Sequence, residues 1–290
     1  MWVDKQANLS VVWQLLATDR LATDMKPSLD LSPLAGEMLK PKELIEVRGV
    51  GAFTLEDRRI YNALVHNAWG AKLGEAGHLF ELETGPLRAI VGDNQRLKKS
   101  LRKLQTTLVE TNTGERWRSV QLLGSVELST TSNSGVLTYS FDPMLALLLK
   151  DSTVFAKLDL ELMRSFRSKF AFALYEAISR RIRMRAFMEE LSLDALRELL
   201  GVEKGKLTTY SNLNKFAIQP AIDEVNAITP YTVSIVPKKQ GRKVIGFVMG
   251  WSTKDENGLK EAYAEMNRHS VGRRSRLDND IEQLNVGEQQ

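Results

Sequence analysis

Apolar residues recur at helical spacing in several segments of the chain, with polar residues on the opposite faces. In the first half this pattern predicts helices over residues 54–69, 87–91 and 94–110. Thr54, which is followed by acidic residues, is a suitable N-cap for the first of them. Residues 1–45 carry three prolines and predict an irregular arm with one short helix near residues 11–16. The order of the helices predicts a helix followed by a helix-turn-helix unit.

Residues with high β-propensity are concentrated in the segments that follow. The predicted strands cover residues 116–123, 126–131 and 136–141, and a polar turn joins the last two. A hairpin behind a helix-turn-helix unit is the layout of a winged helix. Alternating apolar and acidic residues over 158–162 then predict a half-buried strand that leads into a helix over 165–182. We place a domain boundary near Asp151.

The same order of elements recurs in the second half, which predicts a second winged helix. The predicted helices cover residues 193–200 and 211–227, and the strands cover residues 231–236 and 244–251. Pro220 lies inside the longer helix and should bend or shift it. A last helix is expected over residues 259–267. The predicted fold is therefore α+β, two tandem winged-helix domains over residues 46–151 and 152–255, with an arm over residues 1–45 and a polar tail over residues 256–290.

The composition narrows the chemistry that this chain can perform. Its 290 residues are 43% hydrophobic, which suits two globular domains, and the absence of cysteine excludes disulfides and thiolate metal sites. The three histidines are far apart in the sequence, and residues 201–206 lack the spacing and the hydroxyl group of a phosphate-binding loop. No segment has the roughly 20 apolar residues of a membrane span. We therefore expect a cytoplasmic protein that is not an enzyme and has no metal, cofactor or membrane partner.

Basic residues are clustered, although the formal net charge is only +4. Residues 96–103 contain five basic residues and no acid, while residues 164–185 contain seven basic residues and the single acid Glu176. Clusters of this kind are typical of proteins that bind a polyanion such as DNA. A solvated helix face is the alternative interpretation of either cluster.

Candidate DNA contacts follow from the helical faces and from the second hairpin. In the first unit, the basic side chains opposite a leucine stripe are Arg96, Lys99, Arg102 and Lys103. In the second unit, the side chains opposite the apolar face that could touch base edges are Asn212, Lys215, Phe216 and Gln219. The hairpin supplies charges for phosphate contact at Lys238, Lys239, Arg242 and Lys243. Arg180 and Arg181 complete the set, and an ordinary exposed side chain is the alternative interpretation of each base-contact candidate.

Several motifs of the second half occur in a fixed order. Residues 168–170 read Ser-Lys-Phe and lead to Leu-Tyr-Glu at residues 174–176, and residues 193–201 read LDALRELLG. The longer helix then carries Tyr210, Leu213, Lys215, Pro220, Ala221, Ile222 and Asn226, and the hairpin carries Gly241 and Arg242. In these motifs the chain resembles the iteron-binding replication initiator (Rep) proteins of bacterial plasmids. Phe216 departs from the pair of basic residues that many relatives have there, which implies a different iteron sequence.

The resemblance implies a function and a set of partners. Such proteins bind directly repeated double-stranded sites, called iterons, as monomers, with both winged-helix domains on one face of the duplex. As dimers they repress their own gene, mainly through an interface in the N-terminal domain. They also help to open the origin, and they recruit the host replication initiator and the replicative helicase.

Two other functions are compatible with the same residues. A winged-helix transcription regulator without a replication role would keep the DNA contacts and lose the host partners. An interaction scaffold would use the winged helices to bind proteins and would leave the basic clusters solvated. Negligible DNA affinity at low salt would favour the scaffold.

Overall fold

A computed structural model describes residues 34–276 except residues 46, 48, 49, 113–116, 130–134, 151, 153, 274 and 275. The helix predicted near residues 11–16 lies outside the described residues. In the described part of the chain, no helix is long and apolar enough to cross a membrane.

Among the described residues, the first half contains five helices, two of which form a helix-turn-helix unit, and two small sheets. Its helices are α1 (Lys42–Ile45), α2 (Leu55–Asn67), α3 (Thr84–Val91), α4 (Asn94–Thr106) and α5 (Pro143–Lys150). Its strands are β1 (Glu37–Pro41), β2 (Phe80–Glu83), β3 (Leu108–Asn112), β4 (Trp117–Gln121), β5 (Val126–Leu128) and β6 (Val136–Tyr139). Single 3-10 turns lie at Val50–Ala52 and Ala71–Gly74. The predicted order of helices is confirmed, and α5 is an addition that the sequence pattern did not predict.

The N-cap predicted for α2 is confirmed. The Thr54 hydroxyl accepts a hydrogen bond from the Asp57 backbone N–H, and the Asp57 carboxylate accepts one from the Thr54 N–H. This reciprocal capping box satisfies two backbone donors that a helix N-terminus otherwise leaves unpaired. The sequence therefore sets the start of α2 locally.

The hairpin that directly follows the basic helix differs from the predicted one. Helix α4 ends at Thr106 rather than at residue 110, because Thr107 is extended and Leu108 begins β3. Strand β3 pairs antiparallel with β4, so these two strands form the wing behind α4. The predicted pairing of β5 with β6 is confirmed, but these strands belong to a separate sheet with the order β2-β6-β5.

Strand β1 corrects the prediction of an irregular arm for residues 37–45. It pairs antiparallel with β7 (Phe155–Asp159), and Met38 faces Leu158 in that pair. Both side chains are fully buried in the core. Burial of these apolar side chains keeps the strand in place although its partner lies more than a hundred residues away.

The strand predicted over residues 158–162 is half wrong. Strand β7 ends at Asp159, whose side chain accepts hydrogen bonds from the backbone N–H groups of Glu161 and Leu162 and caps helix α6 (Leu160–Ser165). The next helix, α7 (Lys169–Arg181), begins four residues later than predicted, after the N-cap Ser168. Capping by Asp159 thus starts a helix inside a segment that alternation alone suggested was extended, and capping by Ser168 sets the start of α7.

The second half has the predicted winged-helix order. After α7 come β8 (Met188–Leu191), α8 (Leu193–Leu200), α9 (Tyr210–Leu213), a π turn (Asn214–Ile218), α10 (Gln219–Ile228), β9 (Tyr231–Gln240), β10 (Lys243–Thr253) and α11 (Glu256–Asn267). The sheet has the order β8-β10-β9 and is antiparallel throughout. Helix α7 is buried along most of its length and packs against α8 and α10.

The described residues that follow α11 are anchored to the domain through Arg273. The Arg273 side chain is 6% exposed and lies 3.2 Å from the Glu224 carboxylate of α10. Glu224 also accepts hydrogen bonds from the backbone N–H groups of Arg167 and Ser168 at the start of α7. Burial raises the pKa of Glu224, although these hydrogen bonds and Arg273 oppose that effect. The described part of the tail therefore holds α10 against α7.

Candidate nucleic-acid interface

Pro220 interrupts the long helix of the second helix-turn-helix unit in a specific way. The helix starts at the N-cap Thr209, and its turn at Asn214–Ile218 is a π turn in which the Gln219 N–H donates to the Asn214 carbonyl, five residues earlier. Proline has no N–H, and its ring would clash with the carbonyl four residues before it in a regular α-helix. The π turn accommodates that ring immediately before α10. The predicted shift of the helix is confirmed.

The π turn also changes which side chains lie in line. A π turn contains more residues than an α turn, so side chains four positions apart come closer to alignment along the axis. Ser211, Lys215, Gln219 and Asp223 therefore form one line of side chains, which we call the recognition stripe. The first three are exposed and Asp223 is partly exposed.

The four predicted base-contact residues all reach the surface. Asn212, Lys215 and Gln219 are exposed, and Phe216 is 53% exposed, which excludes a place in the core. The Lys215 ammonium lies 5.4 Å from the centre of the Phe216 ring. A cation over an aromatic face is attracted to the ring, so Phe216 restrains the Lys215 side chain. The structure therefore brings the four residues together on one helix.

The turn before this helix is held by one arginine. Helix α8 ends at Gly201, which has a positive φ of 68°, and Arg197 of α8 donates to the carbonyls of Lys206 and Leu207. The turn thus presents carbonyl oxygens to the Arg197 guanidinium, whereas a phosphate-binding loop presents backbone N–H groups to its ligand. Lys204 and Lys206 remain exposed beside the helix N-terminus. Sequence reasoning missed them, and their position in the helix-turn-helix turn was the available signal.

The hairpin of the second unit carries the predicted charges. Lys239, Arg242 and Lys243 are exposed around the turn at Gly241, whose φ is 59°. Lys238 is also exposed but lies 2.8 Å from the Glu190 carboxylate of β8. An exposed ion pair of this kind is weak, so Glu190 competes only slightly with a phosphate for Lys238. The wing tip is therefore positively charged.

Helix α4 places three of its four predicted residues at the surface. Arg96, Lys99 and Arg102 are exposed, and Arg96 makes only a 3.6 Å contact with the exposed Asp93. These side chains lie opposite Leu97 and the rest of the buried stripe, as predicted. They form a basic outer face on the helix that precedes the β3–β4 wing.

Lys103 does not belong to that basic face. Its ammonium lies 2.6 Å from the buried Asp57 carboxylate and 2.9 Å from the Ala52 carbonyl. Burial would raise the pKa of Asp57, but hydrogen bonds from Lys103, Ser100 and the Thr54 N–H hold it below its ordinary value. The prediction that Lys103 contacts DNA is therefore wrong, since its ammonium forms an ion pair with Asp57 within the first half.

Arg180 and Arg181 lie at the end of α7, where Arg181 is not available for the predicted DNA contact. The Arg181 side chain is buried, 2.6 Å from the Glu189 carboxylate, and Arg180 is partly buried with Met184 near its guanidinium. Both end the helix that leads to β8, whose Met188 faces Gly250. Gly250 is seven residues along β10 from the wing tip, about 24 Å at strand spacing. The Arg181–Glu189 ion pair joins α7 to the sheet, which corrects the assignment of Arg181 as a DNA contact, whereas the contact assigned to Arg180 stays a prediction.

The two halves meet through a buried network of charged and polar groups. The Glu176 carboxylate of α7 lies 2.7 Å from the Lys40 ammonium, 3.8 Å from the Arg58 guanidinium and 2.8 Å from the Asn62 amide nitrogen. The Glu176 side chain is 1% exposed. Burial lowers the pKa of Lys40, while Glu176 opposes that effect. Strand β1 and helix α2 of the first half are thus joined to α7 of the second.

Close backbone packing reinforces this junction next to the helix-turn-helix turn. A Cβ atom at Gly51 would lie 2.8 Å from the Val202 carbonyl oxygen and from the Glu203 Cα atom, closer than any side chain could approach. The Lys169 ammonium donates to the Gly51 carbonyl at 2.8 Å. The first half therefore contacts the turn that carries Lys204 and Lys206.

Two helix-turn-helix units, each followed by a hairpin, define a tandem winged-helix protein of the class that binds DNA. Family models match both halves: residues 37–179 match the first winged helix (WH1) of the initiator replication proteins, and residues 192–251 match the second (WH2) of the initiator Rep proteins. Together they cover well over half of the sequence. The chain belongs to the initiator Rep protein family, and the predicted fold and family are confirmed.

A solved structure gives an independent comparison of the fold. The crystal structure of Pi initiator protein in complex with iteron DNA matches with a TM-score of 0.54 and 17% sequence identity. The match covers 76% of this chain and 98% of that chain. A search of the curated proteins found no match. The structural likeness supports the tandem winged-helix architecture.

Proposed function

We propose that this protein initiates plasmid replication by binding directly repeated sites, or iterons, in double-stranded DNA without catalysing a reaction. The observation that carries the proposal is a helix-turn-helix unit of the initiator family that has a positively charged wing and exposes the side chains of Asn212, Lys215, Phe216 and Gln219. The Pi initiator protein, which shares the fold, is described in complex with iteron DNA. The same mode of binding accounts for the surface of this chain.

The contacts divide by their chemistry. Asn212, Lys215, Phe216 and Gln219 can touch base edges in the major groove, because amides pair with adenine, lysine with guanine and an aromatic ring with the thymine methyl group. The basic wing and the turn lysines can hold phosphates, which fixes the register on the duplex without reading sequence. The face of α4 supplies a second phosphate contact through Arg96, Lys99 and Arg102.

The cellular partners follow from the family resemblance. The proposed roles are autorepression as a dimer through the first winged helix, assistance in origin opening, and recruitment of the host initiator and replicative helicase in the bacterial cytoplasm. A transcription regulator remains the second candidate, since it would use the same DNA surface. An initiator differs from it by unwinding the origin after binding.

Binding to the repeats beside the gene for this protein tests the proposal. We would measure the affinity of the purified chain for a labelled fragment carrying those repeats, with random DNA of equal length as competitor, over a range of salt. We expect a preference of about a thousandfold, within the range of specific DNA-binding proteins. Equal, salt-sensitive affinity for both DNAs would reduce the function to general DNA binding, and negligible affinity at low salt would favour the scaffold.

A pair of variants separates the two types of contact. Lys239→Ala should weaken binding to every sequence and lower the slope of log affinity against log salt by about 0.9, the value for one phosphate contact. Gln219→Ala should instead change the preferred base at one position of the repeat. Identical effects of both changes on repeat and random DNA would contradict the assignment.

A further inference from the structure

The recognition stripe contains one acidic residue, and this residue contacts a proposed base-reading side chain. The Gln219 Nε2 atom donates a hydrogen bond to the Asp223 carboxylate at 2.7 Å. Asp223 lies one turn further along α10 and is partly exposed. A carboxylate on a surface that faces DNA is repelled by phosphates, so its presence there needs a compensating role.

The hydrogen bond restricts how Gln219 presents its amide group. A free glutamine rotates its terminal amide and can offer either the oxygen or the nitrogen to a base. With one N–H bound to Asp223, Gln219 retains its Oε1 acceptor and one N–H donor. Adenine presents an N7 acceptor and an N6 amino donor in the major groove, and that pair matches what Gln219 retains.

We propose that Asp223 is a positioning residue that orients Gln219 to read adenine in the iteron. The proposal rests on the proposed function and adds to it the base preference of one side chain. The π turn contributes by bringing Gln219 and Asp223 into line with Lys215. A glutamine held in one orientation loses less entropy when it pairs with a base, so the contact should discriminate more sharply than that of a free glutamine.

A purely structural role for Asp223 makes a different prediction. Glutamine and aspartate four residues apart on an exposed helix stabilise that helix slightly, whatever the helix binds. Loss of such a pair would change affinity for all sequences equally. Base discrimination at a single position is therefore the measurement that separates the two roles.

The experiment uses the full chain and a set of repeat duplexes in which each base pair is replaced in turn. Affinities are measured by competition for Gln219→Ala, Asp223→Ala, Asp223→Asn and the Gln219→Ala/Asp223→Ala double variant. Glu261→Ala, which removes an exposed acid from α11, controls for the general effect of a lost negative charge. Urea unfolding of each variant verifies that the domain is folded.

Gln219→Ala should reduce discrimination at one A·T pair by about 5- to 150-fold, the range for a good bidentate contact. Asp223→Ala should reduce discrimination at the same pair at least threefold, and the double variant should match Gln219→Ala. Asp223→Asn should keep most of the discrimination, because its side-chain oxygen still accepts from Gln219. A gain in affinity that Asp223→Ala shows equally for every duplex is the effect of the lost negative charge and does not count as a change in discrimination.

Two outcomes would overturn the proposal and distinguish its failure from that of the proposed function. If Gln219→Ala loses discrimination at one pair while Asp223→Ala keeps it, Asp223 only stabilises the helix and the base contact stands. If Gln219→Ala keeps discrimination at every pair, the base contact assigned to Gln219 is wrong, and the role of Asp223 fails with it.

Discussion

Glu176→Gln tests whether the buried junction holds the two halves of this protein together. Glutamine has nearly the volume of glutamate and keeps an oxygen that can accept from the Asn62 amide, which lies 2.8 Å from the native carboxylate. The change therefore removes mainly the negative charge. It leaves the Lys40 and Arg58 side chains, which are 4% and 8% exposed, without their shared anion.

The magnitude follows from the burial of all three charges. Removing one partner of a buried ion pair typically costs about 3–5 kcal/mol, because the remaining charge stays desolvated and uncompensated. With a urea dependence of about 2–3 kcal/mol per M, the unfolding midpoint should fall by about 1–2.5 M. Adding Lys40→Met should restore part of this loss, since methionine fills the space without a charge.

Urea unfolding followed by circular dichroism and by tryptophan fluorescence measures the effect. Glu256→Gln is the matched control, because Glu256 forms an exposed ion pair with Lys260 on α11 and should leave the midpoint unchanged. Coincident transitions by both probes would show that the halves unfold together. A midpoint for Glu176→Gln equal to that of the control would refute the reasoning, because it would mean that water already solvates the network.

Three further predictions concern the junction and the basic helix. Lys103→Ala should lower the free energy of unfolding measured in urea, since it breaks the ion pair with Asp57. Lys99→Ala should leave that free energy unchanged and lower the salt dependence of DNA binding. The folded-state pKa of Asp57 lies below its unfolded value, so its stabilisation is present above the ordinary pKa of about 3.9 and is lost as the pH falls through the folded pKa. Asp57→Asn should therefore flatten the acid end of the stability profile, and an unchanged profile would contradict this. Gly51→Ala should cost about 1–3 kcal/mol by urea unfolding, because its Cβ would overlap the Val202 backbone, and wild-type stability would show that the junction yields easily.

The sequence predicted the layout of both winged helices because that layout is encoded locally. Capping residues such as Thr54 and Ser192 act within three residues of their own position, and helical spacing of apolar residues identifies the buried face. Pro220 even indicated the irregularity of the recognition helix. Helical spacing also puts Asp223 on the same face as Gln219, but the hydrogen bond between these two side chains depends on their rotamers, which the sequence does not specify.

What the sequence could not predict depends on contacts between distant residues. The pairing of β1 with β7 joins segments over a hundred residues apart, and the sequence of β1 alone does not specify which strand it pairs with. The four predicted contact residues of α4 have the same basic character in the sequence, yet of these four only Lys103 contacts Asp57 and the Ala52 carbonyl, which belong to other elements. Arg181 is misassigned for the same reason, since its partner Glu189 lies beyond a turn. A cluster of basic residues identifies a candidate surface, but only packing decides which charges are available to bind DNA.

The junction bears directly on how two modest DNA contacts could act as one. Gly51 and Ala52 form a 3-10 turn that contacts Lys103 of α4 on one side and the turn after Gly201 on the other. Helix α4 of the first half and the turn before the long helix of the second half therefore both contact this 3-10 turn. A fixed spacing between two binding units makes the second contact nearly intramolecular, which raises affinity without any additional contact. Under the proposed function, loss of the buried charges of the junction should therefore weaken DNA binding, although these side chains are themselves buried.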